Sequence, residues 1–359
     1  MFDHSAAAAD ATMPLLHPSK AWRAASLVLT LAALAASTVP LPSSCSHTKP
    51  IPPISKNEAR AMLGFAYSAY CPAMEVKNWT CHWCRKLAPD RLERIRVLYE
   101  PISRMRYLVA LRHEDALSGT QHWVISFRGT VGDGDKLTLY RNIFFARNST
   151  LAPLRMSSAF PSADAPPPTA HGGFYAQWNL ARPNLLQALK ELGAVPQRDH
   201  LYLTGHSSGA ALSVMAAFDL VASPEIPLES RWEASRVSIF NFGMPPVGGP
   251  AFASAYERIG LGRRTWRLVH EAEEVPHIRF GSGFVHVGRE IWERADGTWI
   301  LCGAASPATG SARNCQITPP WTQDESCSAS VPRERLTHDD HHYYLLEDAM
   351  AGEPFGCTQ

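Results

Sequence analysis

The sequence predicts an α/β protein in which helices flank a mostly parallel central sheet. Short apolar segments typical of strands cover residues 201–204, 237–242 and 265–270. Helical patterns over residues 174–192 and 210–221 precede and separate them. Strands that alternate with helices usually pair in parallel, and their sites lie at the carboxyl edge of the sheet. Residues that follow these strands are therefore the first candidates for chemistry.

Other segments complete this prediction. A helical pattern covers residues 57–70, strand patterns cover 106–112, 122–127 and 285–292, and Pro- and Ser-rich loops cover 151–169 and 303–330. With 359 residues and 45% hydrophobic content, the chain can bury a large core, as one large domain or two small ones. A net charge of +1 with 19% charged residues gives no basic surface, so we expect no nucleic-acid partner.

The strand at 201–204 leads into a G-x-S-x-G motif, Gly205-His206-Ser207-Ser208-Gly209, and a helical pattern follows at once. This strand–turn–helix context is typical of a nucleophile elbow, in which a strained turn holds the serine hydroxyl above the sheet edge. The glycines let strand and helix approach closely, and the helix N-terminus can stabilise a developing oxyanion. Ser207 is the predicted nucleophile. The alternative is a Ser/Gly-rich turn without function, because the bare motif is common.

A second candidate follows the strand at 122–127, where the chain continues as Arg128-Gly129-Thr130. A free N–H at the carboxyl end of a strand can supply half of an oxyanion hole. We expect Thr130 to donate through its backbone N–H, with its hydroxyl as a further candidate donor. The N–H of Ser208 is the expected second donor of the oxyanion hole. The alternative is a simple strand exit into a turn.

Together these segments resemble the fungal-type class 3 lipases. The resemblance covers residues 57–357 and rests on five stretches in order, at 65–71 (FAYSAYC), 124–130, 171–175 (HGGFY), 205–209 and 242–248 (FGMPPVG). It implies an α/β-hydrolase fold with a helical lid over the site, and hydrolysis of carboxylic esters without a metal or other cofactor.

The acid of the triad follows the serine in α/β-hydrolases. After the strand at 265–270 the chain reads Glu271-Ala272-Glu273-Glu274-Val275-Pro276. The family places its carboxylate two residues before the Val-Pro pair, which implies Glu273 in place of the usual aspartate. Glutamate can do the same work, which is to fix the imidazole tautomer and stabilise the imidazolium. Glu271 and Glu274 remain alternatives.

The base is implied by the family's Asp-His-x-x-Tyr pattern, which matches residues 340–344 and selects His341. His338 and His342 are interpreted as surface or supporting residues. A metal site is the competing interpretation, because histidine and aspartate alternate densely here. No second cluster of ligands accompanies them in the sequence, so we expect no metal.

The resemblance maps the lid to residues 131–146, with apolar content at Leu137, Leu139, Tyr140, Ile143, Phe144 and Phe145. Such a lid opens at a lipid surface and exposes its apolar face with the acyl groove. An amphipathic helix packed on the core is the alternative. Ser208 and Ala210 depart from the family's usual Leu and Gly after the serine, which bears on the shape of the acyl pocket.

The first fifty residues differ from the rest. Lys20 and Arg23 precede an apolar run at 24–36 that is shorter than the ~20 residues of a membrane span. We predict a secretory signal peptide over residues 1–37, with a signal anchor as the alternative. A Pro-rich linker is expected over residues 38–56 and the lipase domain over residues 57–359.

Eight cysteines in an enzyme of ordinary size indicate an oxidising compartment. The resemblance implies disulfides between Cys71 and Cys357, Cys81 and Cys84, and Cys302 and Cys327, leaving Cys45 and Cys315. A zinc or redox role for Cys81-x-x-Cys84 is the rival interpretation. The sequons at Asn78 and Asn148 would be glycosylated in a secretory pathway.

The favoured function is a secreted carboxylic-ester hydrolase, specifically a triacylglycerol lipase that meets its lipid ester substrate at an oil–water interface by transient surface contact. A feruloyl or other small-ester esterase of the same fold is the second hypothesis. A catalytically silent binding protein is the third, supported only by the glutamate at position 273.

Overall fold

A computed structural model describes residues 55–88, 92, 94–131, 151–156, 166–281, 283–302, 326–349 and 356–357. The predicted signal peptide, almost all of the linker and the lid lie outside the described residues, except for Ser55, Lys56 and Val131. Cys45, Cys315 and the sequon at Asn148 also lie outside them. Asn78, of the other sequon, is exposed at the end of a short helix.

The centre of the described region is an eight-stranded sheet in the order β1-β2-β3-β6-β7-β8-β9-β10. Its five middle strands, from β3 to β9, pair in parallel, and the pairs at its two edges are antiparallel. The predicted, mostly parallel sheet is therefore confirmed. The strands are β1 Arg94–Glu100, β2 Met105–Glu114, β3 Gln121–Phe127, β4 Leu151–Pro153, β5 Thr169–His171, β6 His200–His206, β7 Val237–Phe242, β8 Thr265–His270, β9 Arg289–Glu293, β10 Trp299–Leu301, β11 Tyr343–Tyr344 and β12 Glu347–Asp348.

Helices cover both faces of this sheet. Alternate side chains of β3 enter different cores: Trp123, Ile125 and Phe127 lie in the same core as buried residues of α4, α5 and α6, whereas Val124 lies in the core that includes α1 and α3. This division follows from the two-residue period of a strand. The helices are α1 Lys56–Ser68, α2 Ala73–Lys77, α3 His82–Lys86, α4 Gly172–Leu192, α5 Ser208–Ala222 and α6 Pro250–Arg258.

Short 3-10 turns connect these elements at Leu228–Ser230, Ala234–Arg236, Gly262–Arg264, Val275–His277, Ser328–Ser330, Arg333–Arg335 and Asp339–His342. The two that matter most for the site are Val275–His277, which directly follows the segment at 271–274, and Asp339–His342. Both lie next to the carboxyl ends of parallel strands. The loops therefore bring residues from distant parts of the sequence to one edge of the sheet.

Helix α5 is buried along its whole length. It follows β6 directly and is rich in alanine and serine, so it packs closely between the sheet and α4. The hydroxyl of Ser213 donates to the carbonyl of Ala210 at 2.7 Å and bonds the side-chain oxygen of Asn241 at 2.6 Å, which satisfies a polar group inside the core. This packing fixes where the helix begins, and hence where the elbow lies.

Two predicted elements differ from the structure. The strand expected over residues 285–292 begins only at Arg289, because Val285 instead forms an isolated antiparallel bridge with Gly248. The predicted loop over residues 151–169 begins with β4, which pairs with β5. The sequence patterns also gave no sign of β1, β10 or α6.

The three implied disulfides are confirmed: Cys71–Cys357, Cys81–Cys84 and Cys302–Cys327 are all formed. The first connects the segment after α1 to the end of the chain, across 286 positions of sequence. The rival interpretation of Cys81 and Cys84 as zinc ligands does not hold, because a bonded pair of sulfurs offers no thiolate. Within the described ranges, no helix has the length and apolar character needed to cross a membrane.

Candidate active site

Ser207 occupies the strained turn between β6 and α5, with φ 60° and ψ −131°. Non-glycine residues rarely adopt a positive φ, and such strain is concentrated at functional sites. The neighbouring glycines make the turn possible. A Cβ at Gly205 would lie 2.4 Å from the Gly209 carbonyl, and one at Gly209 would lie 2.2 Å from the carbonyl oxygen of Phe127. The Ser207 N–H donates to the Phe242 carbonyl at 2.9 Å, which anchors the turn to the next strand.

The segment after β3 lies directly against this turn. The hydroxyls of Thr130 and Ser208 are 2.9 Å apart and share a hydrogen bond. Gly129 allows the approach, because a Cβ there would lie 2.1 Å from the Tyr70 hydroxyl and 2.6 Å from the His206 carbonyl oxygen. The structure therefore brings together the two residues predicted for the oxyanion hole.

Glu273 and His341 form a buried pair beside the elbow, with 0% and 1% of their surfaces exposed. Oε1 of Glu273 bonds Nδ1 of His341 directly. The same oxygen accepts from the Tyr344 hydroxyl at 2.5 Å, and Oε2 accepts from the His270 N–H at 3.3 Å. Each carboxylate oxygen thus has a donor, and the imidazole is held through Nδ1 so that Nε2 is left for other chemistry.

The neighbouring glutamates take other partners. Glu271 pairs with Arg294 at 2.9 Å. Glu274 lies 2.9 Å from Nδ1 of His338, which places that histidine beside the site. Of the three glutamates in this turn, Glu273 is the one whose carboxylate reaches His341.

His206, the variable residue before the nucleophile, connects the elbow to the loop that carries His341. Its Nε2 lies 2.7 Å from the His341 carbonyl oxygen, and its Nδ1 lies 2.9 Å from the Tyr70 hydroxyl. Because a carbonyl only accepts, we assign the proton of His206 to Nε2. The two imidazole rings stack with centroids 4.3 Å apart. Burial lowers the pKa of His206 to about 3, so this ring stays neutral.

Electrostatics favour an uncharged imidazole at His341. Burial lowers its pKa well below the usual value, and the nearby His206, His342 and His338 act in the same direction. A neutral imidazole can accept a proton from a hydroxyl. Burial also raises the pKa of the Glu273 carboxyl, although its hydrogen bonds from Tyr344 and from a backbone N–H oppose this.

Gly243 makes room for the longer carboxylate of glutamate. It follows β7 with φ +60°, and a Cβ there would lie 2.2 Å from Oε1 of Glu273. The same Cβ would lie 2.4 Å from the Tyr344 hydroxyl and 2.6 Å from Cε1 of His341. All three contacts are far shorter than van der Waals distance. The absence of a side chain at this position is therefore a condition for the whole arrangement.

Three supporting residues were not singled out by the sequence patterns: Tyr344, Gly243 and His206. Signals for them were present in the motifs, because Tyr344 ends the Asp-His-x-x-Tyr pattern and Gly243 lies in the stretch at 242–248. His206 lies inside the elbow itself. The motifs do not show that these three residues lie close to Glu273 and His341 in space.

One group of potential metal ligands occurs among the described residues, namely Glu290, Cys302 and Cys327, with ligand atoms within 4.8 Å of one another. The two sulfurs are joined in a disulfide and offer no thiolate. Glu290 accepts from the hydroxyl of Ser328 at 2.6 Å and pairs with Arg267 at 3.3 Å. This group therefore stabilises the fold and offers no site for an ion.

Sequence comparison decides the family. The profile of the family described as "Lipase (class 3)" matches residues 124–282, which include the elbow, Thr130 and Glu273. Over this segment the chain matches the class 3 lipase family. Among its relatives, the "Lipase" of Rhizopus niveus is 26% identical over 273 residues, which is 75% of this chain and 58% of the relative. The chain therefore spans less than two-thirds of that relative.

A second relative and a solved structure are also similar to this chain. The "Secreted mono- and diacylglycerol lipase A" of Penicillium cyclopium is 31% identical over 121 residues, 33% of this chain and 36% of the relative. The structure titled "Rhizomucor miehei lipase propeptide complex, native" superimposes with a TM-score of 0.59 at 23% identity, covering 81% of this chain and 80% of that chain. This likeness confirms the predicted α/β-hydrolase fold.

Proposed function

We propose that the protein is a serine hydrolase of carboxylic esters, and specifically a triacylglycerol lipase. In this proposal Ser207 is the nucleophile, His341 the base and Glu273 the acid, with Thr130 and Ser208 as oxyanion donors. The observation that carries it is the buried Glu273–His341 pair, whose loop is hydrogen-bonded to the residue before the strained serine. If the Glu273–His341 pair only stabilised the fold, the strained backbone of Ser207 beside it would have no explanation, because such strain is concentrated at functional sites.

The chemistry proceeds through an acyl-enzyme. His341 takes the hydroxyl proton of Ser207 through Nε2 as Oγ bonds to the carbonyl carbon of the ester. The negative charge that develops on the carbonyl oxygen is met by the N–H groups of Thr130 and Ser208. The alcohol leaves with the proton from His341. Water then attacks the acyl-serine by the same route, releases the carboxylic acid and restores the hydroxyl.

Glu273 supports both acylation and deacylation through its contact with Nδ1 of His341. As a carboxylate it holds the proton of His341 on Nδ1 and stabilises the imidazolium that forms when Nε2 accepts the second proton. The donation from Tyr344 to the shared oxygen favours the charged carboxylate and limits its rotation. Tyr344 is thus a positioning residue in this proposal.

The proposed substrate class rests on the relatives. Their printed names, a lipase and a secreted mono- and diacylglycerol lipase, favour an acylglycerol over other esters. Export through the predicted signal peptide at 1–37, ahead of a lipase domain at 57–359, is part of the same proposal. Three formed disulfides support an oxidising compartment.

The test of the activity is Ser207→Ala. We expect this change to lower kcat for a soluble ester and for emulsified triacylglycerol by about 10⁴–10⁶, because the covalent route is lost. The melting temperature should not fall, since the change removes one hydroxyl from a strained position. Hydrolysis by the alanine variant at close to the wild-type rate would contradict the proposal. Wild-type hydrolysis of soluble esters alone would favour a small-ester esterase over a lipase.

A further inference from the structure

A cavity of about 510 Å³ lies beside the turn that carries Glu273. Its wall is mainly apolar, and none of the residues proposed for catalysis lines it. Cavities of this volume commonly hold small ligands, with an apolar lining and a few polar groups that fix orientation. The apolar lining side chains include Pro246, Ile278, Phe284, Val285, Val331 and Leu336.

Two arginines give this cavity a positive rim. Arg279 and Arg333 both line it and are both exposed to solvent. Neither guanidinium forms an ion pair with a carboxylate of the described residues, and none of the described residues that line the cavity is acidic. Two guanidinium groups without a carboxylate partner among the described residues, beside an apolar wall, match an anion with an apolar body. Arginine is particularly suited to carboxylates, which it can bind through two parallel hydrogen bonds.

We propose that this cavity binds a free carboxylic acid with an apolar tail, with its carboxylate between Arg279 and Arg333 and its chain against the apolar wall. This inference rests on the proposed function, because such an acid is the second product of ester hydrolysis. The site is separate from the catalytic groups and would hold an acid after it has left them.

The cavity wall is continuous with the segments that support Glu273. His277, which lines the cavity, lies with Nδ1 2.8 Å from the Glu273 carbonyl oxygen. On the other side, Leu336 lines the cavity and precedes Thr337, whose N–H donates to the Ala272 carbonyl at 2.8 Å. A bound acid would therefore add contacts to both segments that hold the catalytic turn, and we expect it to raise the melting temperature.

The binding test uses the full-length Ser207→Ala variant and dodecanoate below its micelle concentration, measured by titration calorimetry. We expect saturable binding of one dodecanoate per chain, and no binding of dodecyltrimethylammonium, which has the same tail and the opposite charge. The double variant Arg279→Glu/Arg333→Glu should raise Kd by about tenfold or more, because attraction becomes repulsion. Arg335→Glu, an exposed neighbour that does not line the cavity, is the matched control and should change Kd by less than about twofold.

A second variant separates the cavity from surface charge. Ala329→Trp places a large ring inside the lining while both arginines stay, and it should also abolish binding. Circular dichroism and thermal melting would establish that each variant is folded. Unchanged dodecanoate binding by the double arginine variant, or by a folded Ala329→Trp variant, would overturn the proposal.

A last arm distinguishes this cavity from the catalytic cleft. Wild-type protein is first blocked at Ser207 with a dodecyl fluorophosphonate, whose chain occupies the cleft, and is then titrated with dodecanoate. Retained binding supports a separate site, and lost binding means that the acid enters the cleft, which overturns the proposal. If the reagent fails to label Ser207, the proposed hydrolase function is wrong. The dodecanoate affinity of the arginine variants would still test binding in the cavity.

Discussion

Glu273 meets three donors at once, although its side chain is one methylene longer than the aspartate that the resembling lipases usually carry. The extra length is accommodated where Gly243 has no side chain, and the carboxylate then reaches His341, Tyr344 and the His270 N–H. We therefore expect the surrounding backbone to be fitted to glutamate. The substitution is compatible with catalysis and gives no support to a silent binding protein.

Glu273→Gln should keep the fold and lower kcat by about 10²–10⁴, because an amide can favour the wrong imidazole tautomer. Glu273→Asp should also be defective, by up to about 10²-fold, since a displacement near 1 Å from the imidazole is costly. Steady-state kinetics on a soluble ester would measure both. Glu271→Gln and Glu274→Gln are the matched controls, with losses below about tenfold expected. An aspartate variant as active as wild type would mean that the site is not fitted to glutamate.

Gly243→Ala should remove activity and destabilise the fold by about 2 kcal/mol or more, because its Cβ collides with Glu273, Tyr344 and His341 and its φ is strained. Gly119→Ala is the control, since Gly119 has a similar φ of +66° and no atom within 4 Å of the added Cβ. Urea unfolding would compare the two. Equal losses at both positions would assign the cost to backbone strain alone.

At the scale of elements, the hairpin of β11 and β12 carries unusual strain. Its two loop residues, Leu345 and Leu346, have φ 56° and 64°, values that Asn and Gly adopt more easily than leucine. Leu345 is buried and its N–H donates to Glu293 at 2.8 Å, whereas Leu346 is 68% exposed. The hairpin also carries Tyr344, so its geometry bears directly on the site.

Leu346→Gly should raise the free energy of unfolding by about 0.5–1 kcal/mol, because it relieves a left-handed leucine that contributes little burial. Leu117→Gly is the control: Leu117 is fully exposed, its φ is not positive, and glycine there should stabilise nothing. Urea unfolding checks both variants. A loss of stability at position 346 would mean that Leu346 contributes packing that outweighs its strain.

Local patterns predicted some elements well and others poorly. Strands β7 and β8 and the elbow follow from contiguous apolar runs and from glycine spacing, both of which are readable within a few residues. The start of β9 depends on a bridge between Val285 and Gly248. The position of Tyr344 depends on its contact with Glu273, which lies 71 residues earlier in the sequence. Such long-range contacts leave no periodic signal in a single sequence.

At the scale of the whole molecule, the disulfides differ greatly in what they constrain. Cys71–Cys357 closes a loop of 286 positions, whereas Cys81 and Cys84 are 3 apart. Because the entropy removed from the unfolded chain grows with loop length, replacing the first pair by serine should cost about 5–6 kcal/mol, and replacing the second about 2 kcal/mol. Chemical unfolding of both double variants measures the difference. A greater loss at the short loop would mean that native packing, and not the unfolded chain, dominates.

The long disulfide also changes what a protease can do to this protein. A single cut anywhere between residues 71 and 357 leaves two fragments that are still joined by at least one disulfide. A nicked molecule would therefore migrate as one band in electrophoresis without reductant, and separate into two pieces only after reduction. One cleavage in a surface loop between these two cysteines would then break the chain without dispersing its parts.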